Sequence, residues 1–187
     1  MSQTTQPRTI ASTDGGKLDI RALVLLAILL AAGFILNFTV GKAISSISGG
    51  LISPEFIISA FCLTILVVRP NIPQALVIGL ISAAVIQITT TSPFVDFAAE
   101  GIAAMLMAAI VQAGMQGKAK KFVPALGALV TTVVSGLIFM VIKIAMIGAA
   151  QELVAAMLPV VILTAVFNAI LVQALYLPIC KALKVEA

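Results

Sequence analysis

Four ionisable side chains lie in or at the edge of otherwise apolar segments: Glu55, Asp96, Glu100 and Lys143. A charge inside hydrocarbon costs roughly 2.5–3.5 kcal/mol even on a lenient insertion scale, so each of these residues needs a partner, water or a ligand. Carboxylates together with an ammonium group can bind a small polar molecule. The sequence therefore predicts a polar pocket, provided that folding brings the four residues together.

The spacing of two of the carboxylates places them on one helix face. Asp96 and Glu100 are four residues apart, within the first two turns of a predicted helix. The positive end of the helix dipole lies there and lowers the cost of a carboxylate. Lys143, about one turn from the end of a later helix, could form an ion pair with Glu100. The alternative is that these are interfacial charges in contact with water, plus one structural salt bridge.

Further polar residues could belong to the same pocket. Glu55 opens the second predicted helix, Gln87 lies at the end of the third, and Asn168 lies deep in the sixth. Asn168 could instead hydrogen-bond a neighbouring helix, as polar residues in membrane spans often do. Phe139 and Phe167 could supply an aromatic wall or pack within the bundle. The predicted substrate-binding residues are Glu55, Gln87, Asp96, Glu100, Lys143 and Asn168.

The composition is that of a membrane protein. Of 187 residues, 61% are hydrophobic and 10% are charged, whereas about a quarter of the residues in a soluble domain are charged. The mean hydropathy is +1.23. Histidine is absent and the two cysteines lie in different apolar runs, which excludes a zinc or haem site built on imidazole or paired thiolates and any histidine base. We expect no enzyme activity, no metal and no cofactor.

The apolar runs predict an all-α membrane protein with one domain of six transmembrane helices, residues 20–184. Residues 1–19 are polar and predict a disordered tail. Residues 39–53 are rich in Gly and Ser and predict a loop, and the two prolines within 69–73 predict a sharp turn between helices. The predicted helices cover 22–38, 54–68, 74–90, 94–115, 122–147 and 153–183.

The distribution of basic residues predicts the orientation. With both termini in the cytoplasm, only Lys42 and Lys143 among the Lys and Arg residues fall on the outer side, as the positive-inside rule requires. The carboxylates then fall towards the outer side of the bilayer. The net charge of +4 is explained by this asymmetry, so we expect no nucleic-acid partner. The ATP-binding motif G-x-x-x-x-G-K-[S/T] does not occur, so any ATP-driven step would need partner subunits.

Several short motifs occur in a characteristic order. They are Ala27-x-x-x-Ala31, the loop GGLISPE at 49–55, Arg69-Pro70, the Thr-rich segment 89–93 and Pro159…Asn168. Together they resemble the substrate-binding S components of energy-coupling factor (ECF) transporters, six-helix membrane proteins with both ends cytoplasmic. The resemblance covers residues 21–184 and is greatest for the tryptophan-transporter type.

The resemblance implies a role in nutrient uptake in the cell membrane of a prokaryote. An S component captures a small nutrient from outside and delivers it with a transmembrane coupling subunit and two ATPase subunits. Ala27 and Ala31 match the surface that contacts the coupling subunit, and Gly41, Gly49 and Gly50 match the loop that gates the site. The substrate would be tryptophan or a vitamin or its precursor. A self-sufficient small carrier or channel is the alternative function.

For a zwitterionic substrate, the sequence suggests a division of roles between the predicted charges. Glu100 or Glu55 would bind the ammonium group of the substrate, and Lys143 would bind its carboxylate. This division depends on Lys143 and Glu100 facing one pocket, which their spacing along the chain does not establish.

Overall fold

The computed structural model describes residues 18–88, 90, 92, 94–117, 120–148 and 150–185, and these are helical with short connections. The predicted tail at 1–19 lies almost entirely outside the described residues. The helices are α1 (Ile20–Leu36), α2 (Lys42–Ile47), α3 (Phe56–Val68), α4 (Ile72–Ile86), α5 (Val95–Gly114), α6 (Val123–Ile147) and α7 (Ala150–Leu183). A π-helical turn, Asn37–Gly41, joins α1 to α2, and a 3₁₀ turn, Lys120–Phe122, precedes α6.

Four helical segments are long and apolar enough to cross a membrane. The helices α3 and α4 are equally apolar but shorter. The all-helical membrane protein expected from the sequence is confirmed at this level, with six apolar helical segments in the described part of the chain. The four long segments are Ile20–Ile47, Val95–Gly114, Lys120–Met146 and Val154–Leu183.

The short helix α3 forms the centre of the bundle. All 13 of its residues are buried, and it contacts α1, α4, α5, α6 and α7. A helix that is apolar on every side is stable only where other helices surround it. Its position inside the bundle explains why this segment is shorter than a span that faces lipid.

The predicted loop at 39–53 is wrong in its first half, because the first helix continues through the π-helical turn to Ile47. Gly41 is therefore a buried helical residue and not part of a loop. The helix ends where Gly49 and Gly50 adopt left-handed φ angles of 63° and 83°. The backbone N–H of Gly50 donates to Ser45 O and that of Gly49 to Ser46 O, the Schellman arrangement that ends many helices.

The turn predicted at 69–73 is confirmed. Arg69 ends α3 in the left-handed conformation, with a φ of 52°. The Asn71 side chain accepts a hydrogen bond from the backbone N–H of Gln74 at 2.9 Å, and the Gln74 side chain accepts one from the backbone N–H of Asn71 at 3.1 Å. This capping box fixes the start of α4, so the turn has a defined geometry.

Candidate functional site

Three carboxylates line one cavity of about 340 Å³ at the end of the bundle where α5 begins. They are Glu55, Asp96 and Glu100, which the sequence had placed in one pocket. This space, the main cavity, lies within the size range of about 300–1,000 Å³ that is typical of ligand sites. Neutral polar side chains complete its lining: Asn37, Ser53, Thr90, Thr132, Ser135 and Thr164.

Glu100 is the most deeply buried of the three acids. Its side chain is 3% exposed. One carboxylate oxygen, Oε1, accepts a hydrogen bond from Ser135 Oγ at 3.0 Å. The other, Oε2, is buried without a hydrogen-bond partner among the described residues. An unpaired polar atom in a low-dielectric interior is costly, so Oε2 is the point at which a donor on a ligand would be most stabilised.

A close approach of two helices holds Glu100 at the cavity wall. Gly79 of α4 lies so near α5 that a Cβ atom there would be 2.5 Å from the carbonyl oxygen of Glu100 and 2.8 Å from Ala104 Cβ. Ala103 and Ala104, about one turn after Glu100 on α5, are fully buried. Small residues on both helices permit this contact, and the contact fixes the position of the Glu100 backbone.

Asp96 is held by Gln87, at the junction of α4 and α5. Gln87 Nε2 donates to Asp96 Oδ2 at 3.1 Å, and Gln87 Oε1 accepts from the backbone N–H of Phe94 at 3.0 Å. Phe94 has a left-handed φ of 69°, so its N–H points back towards α4. Gln87, predicted as a substrate-binding residue, therefore orients Asp96 and is not among the residues that line the main cavity.

The segment that carries Glu55 is anchored by hydrogen bonds from two sides. Asn37 Oδ1 accepts from the backbone N–H of Phe56 at 2.9 Å. From α7, Asn168 Nδ2 donates to the carbonyl oxygen of Glu55 and to Thr132 Oγ1, each at 3.3 Å. Asn168 is fully buried and lies behind the cavity lining, so it positions Glu55 and Thr132, as one of the two sequence-based readings expected.

Thr164 fastens the same segment to α7. Its Oγ1 donates to the carbonyl oxygen of Ser53 at 3.0 Å and accepts from the backbone N–H of Ser53 at 3.3 Å. A single side chain thus satisfies both backbone groups of one residue. The connection between α2 and α3 is tied to the bundle at this point.

The predicted ion pair between Glu100 and Lys143 does not form. Lys143 lies eight residues beyond Ser135 on α6, a rise of ~12 Å at 1.5 Å per residue. Its Nζ is 5.4 Å from the centroid of the Phe139 ring. The sequence spacing could not predict that Glu100 and Lys143 lie at different depths in the bundle, because the two residues are on different helices.

A second cavity, of about 380 Å³, adjoins the first and shares Asn37, Ser53 and Glu55 with it. Lys42 and Gly41 contribute to its wall. The Lys42 ammonium group lies 4.2 Å from the ring centroid of Phe38 on the preceding turn. This second space lies beneath the end of the first helix and continues the main cavity towards the connection between α2 and α3.

Sequence reasoning missed several lining residues that are only weakly polar. Thr132 and Ser135 are three apart on α6, and Phe139 follows four residues later, so the three share a helix face. Phe139 lines the main cavity. Phe167 instead packs edge-on against Phe56, with 5.9 Å between the ring centroids. The helical spacing of hydroxyl residues on an apolar helix was the signal that could have identified this wall.

The two small residues predicted to contact a coupling subunit lie away from the cavity. Ala27 and Ala31 are both exposed on α1. Gly33, by contrast, faces α3, where an added Cβ would be 3.0 Å from the carbonyl oxygen of Phe56. The internal contact of α1 is therefore made by Gly33 and its neighbours, and Ala27 and Ala31 are on the outer surface.

The main cavity is the candidate functional site of this chain. A scan against protein-family models, a search of curated proteins and a search of solved structures each found no match. The resemblance to S components thus stays a prediction from the sequence motifs.

Proposed function

We propose that this chain is the substrate-capture subunit of an ECF-type ATP-driven importer. In this proposal it binds a small nutrient in the main cavity and delivers it together with a coupling subunit and two ATPase subunits. The observation that carries the proposal is a partly open cavity of ligand size, lined by three carboxylates, within a bundle of apolar helices. The motifs shared with S components support the same role.

The charge distribution supports a cavity that faces the outside of the cell. The three acids lie at the end of the bundle where α5 begins. Basic residues occur at the other ends of these helices, with Lys120 and Lys121 before α6 and Lys181 in the last turn of α7. Under the positive-inside rule the basic end is cytoplasmic. The site would then receive its substrate from the outer side of a prokaryotic cell membrane.

Access to the site would be controlled by the segment that ends at Glu55. Gly49 and Gly50 begin this segment in left-handed conformations, and Thr164 ties its far side to α7. Breaking these two hydrogen bonds would free the segment to open. Gly41, within the helix, would move with α2 in that opening and would not act as a loop hinge.

The substrate proposed first is tryptophan, with a vitamin or vitamin precursor as the alternative within the same role. The lining of the main cavity includes the apolar side chains of Phe139, Met157 and Val161, which suit a flat ring. Its acids suit a polar head group. This mixture of an apolar wall with a few polar groups is typical of small-molecule sites.

A binding screen on the purified chain tests the capture role. Amino acids and vitamins are added singly, and the melting temperature is followed, because a ligand that binds only the folded state raises it. We expect one compound to stabilise the chain with submicromolar affinity, and the variant Glu152→Gln, which changes an exposed acid on α7, to respond in the same way. A chain that no compound stabilises would contradict the capture role.

A self-sufficient cation carrier is the second candidate, and the cluster of carboxylates in one cavity favours it, since buried acids are typical of ion pathways. Reconstitution into proteoliposomes distinguishes the carrier from the capture subunit. Uptake of the identified nutrient into proteoliposomes that contain this chain alone would support the carrier. Binding without uptake, followed by uptake once the ATPase module is added, would support the capture subunit.

A further inference from the structure

We propose that the main cavity recognises its substrate through a positively charged nitrogen, a primary ammonium group on an organic molecule, and that Glu100 is the residue that binds it. This inference rests on the proposed capture role and specifies the chemical class of the substrate. It replaces the expectation that Glu100 and Lys143 face one another across a zwitterion.

The first observation is the charge of the cavity. Its described lining includes three carboxylates and no Lys or Arg. The Lys42 ammonium group lies over the Phe38 ring and that of Lys143 over the Phe139 ring, and neither lysine lines the main cavity. Buried charges in proteins are normally paired. Glu100 lacks such a partner among the described residues, so a cationic ligand would complete the site.

The second observation is the unused bonding capacity of one buried oxygen. Glu100 is 3% exposed and lines the cavity, and its Oε2 has no hydrogen-bond partner in the part of the chain that the structure describes. An ionised carboxylate only accepts hydrogen bonds, and an ammonium group only donates them, with three N–H groups available. A ligand ammonium could bind Oε2 and still donate to the hydroxyl groups of Thr132 and Ser135. Such charge-assisted bonds are about twice as strong as neutral ones.

The shape of the cavity favours an organic cation over a metal ion. In the described residues, no group of three His, Cys, Asp or Glu side chains is close enough to hold a metal. Calcium requires six to eight oxygen ligands and magnesium an octahedral set. The cavity is also far larger than an ion, at about 340 Å³, and Phe139, Met157 and Val161 form an apolar wall. An aromatic or aliphatic body attached to the ammonium would fill that space.

The absence of tryptophan from the sequence makes a direct measurement possible. The chain contains no Trp and a single Tyr, so indole fluorescence excited beyond the tyrosine absorption comes from the ligand alone. Three indoles differ only in their charged groups: tryptamine carries the ammonium, indole-3-propionate carries the carboxylate, and tryptophan carries both. Phenethylamine, 3-phenylpropionate and phenylalanine repeat this comparison with a smaller ring, read by thermal stabilisation.

We expect the amines to bind and the acids that lack an ammonium group not to bind. Glu100→Gln, which keeps the shape and an acceptor for Ser135, should weaken the binding of the amine at least tenfold. Glu152→Gln is the matched control and should leave the affinity unchanged. The elution volume and melting temperature without ligand show whether each variant is folded, and Ser135→Ala, which leaves the Glu100 charge in place, should retain selectivity for amines.

Several results would overturn the inference. An anion that binds as tightly as its amine would do so, as would an unchanged amine affinity in folded Glu100→Gln, which would show that the Glu100 charge does not bind the ligand. Stabilisation by Na⁺ or Mg²⁺ in place of the amines would indicate an inorganic cation. A neutral or anionic nutrient that binds tightly would refute the ammonium proposal and leave the capture role intact. A chain that binds nothing would refute both.

Discussion

The two ends of the helical bundle use their polar side chains differently. At the end opposite the cavity, Gln112 Nε2 donates to the carbonyl oxygen of Pro70 at 3.1 Å. Gln173 Nε2 donates to Lys121 O, and its Oε1 accepts from the backbone N–H of Ala125, each at 3.1 Å. These amides supply hydrogen-bond partners to backbone groups at the turns between helices. Backbone polar groups inside a membrane need such partners. Their role is structural.

At the cavity end, a buried polar atom keeps unused bonding capacity. Glu100 Oε2, on a side chain that lines the main cavity, has no hydrogen-bond partner among the described residues. Removing a residue at the opposite end should reduce stability, whereas removing Glu100 should reduce binding. The difference between the ends teaches that the type of a polar residue in a span does not show its role. Glu100 differs from Gln112 and Gln173 because it lines a cavity and keeps an unpaired oxygen, whereas the two glutamines bond to backbone groups.

The largest effect on stability is expected at the close contact between α4 and α5 that holds Glu100 at the cavity wall. Gly79→Ala would place a methyl group 2.5 Å from the backbone carbonyl of Glu100, so α4 and α5 must separate. Overpacking of this kind costs about 1–3 kcal/mol of unfolding free energy. Chemical unfolding in detergent measures it, and ligand affinity should fall as well because Glu100 moves.

Gly127→Ala is the matched control for Gly79→Ala. An added Cβ at Gly127 would approach the Met107 Sδ at 2.8 Å, and a flexible methionine side chain can move away. A loss of stability at Gly127 as large as that at Gly79 would show that the backbone contact with Glu100 is not special.

The second effect is expected at the opposite end. Gln173→Ala removes the hydrogen bonds to Lys121 O and to Ala125 N–H, and each such bond contributes roughly 0.5–1.5 kcal/mol. We expect a lower melting temperature and an unchanged affinity for the amine per folded molecule. A selective loss of affinity would break the distinction between the two ends.

A smaller effect is expected at the attachment of the segment above the cavity. Thr164→Val keeps the side-chain shape but removes both hydrogen bonds to Ser53. The segment should open more often, so ligand dissociation in stopped-flow fluorescence should become about threefold to tenfold faster, in line with bonds of ~1 kcal/mol. Thr131→Val, whose hydroxyl contacts Met107, is the control and should leave dissociation unchanged.

The smallest effect is expected for the cation near the site. Lys143→Met removes a charge that lies over the Phe139 ring and does not pair with Glu100. A partly exposed charge of this kind contributes about 0.2–1 kcal/mol, so amine affinity should change less than about fivefold and should rise if it changes, because a competing positive charge is removed. A tenfold loss of amine affinity would show that Lys143 belongs to the binding site.

Much of the fold follows from local patterns in the sequence. Apolar runs of sufficient length predict helices, and the two prolines and Asn71 predict the turn before α4, because these signals act within a few residues. The continuation of the first helix through 39–47 was missed. Gly and Ser are weak helix formers in isolation, but the adjoining π-helical turn is held by the hydrogen bond of Asn37 to Phe56 N–H, a contact 19 residues away in the chain.

The candidate site was predictable in its acids and not in their partners. Asp96 and Glu100 share a face because of their spacing, and both line the cavity. The choice of Ser135 over Lys143 as the partner of Glu100 depends on how far α5 and α6 are shifted along each other. That shift is set by packing between the two helices, and no single residue type predicts it.

The central claim is tested most directly by measuring amine affinity and unfolding free energy side by side in Glu100→Gln and Gln173→Ala. The account predicts that Glu100→Gln loses at least tenfold in tryptamine affinity while its stability stays equal or rises, because an unpaired buried charge has been removed. Gln173→Ala should show the reverse. If Glu100→Gln instead loses stability and keeps its affinity, Glu100 is a structural residue and the cavity is not a cation-capture site.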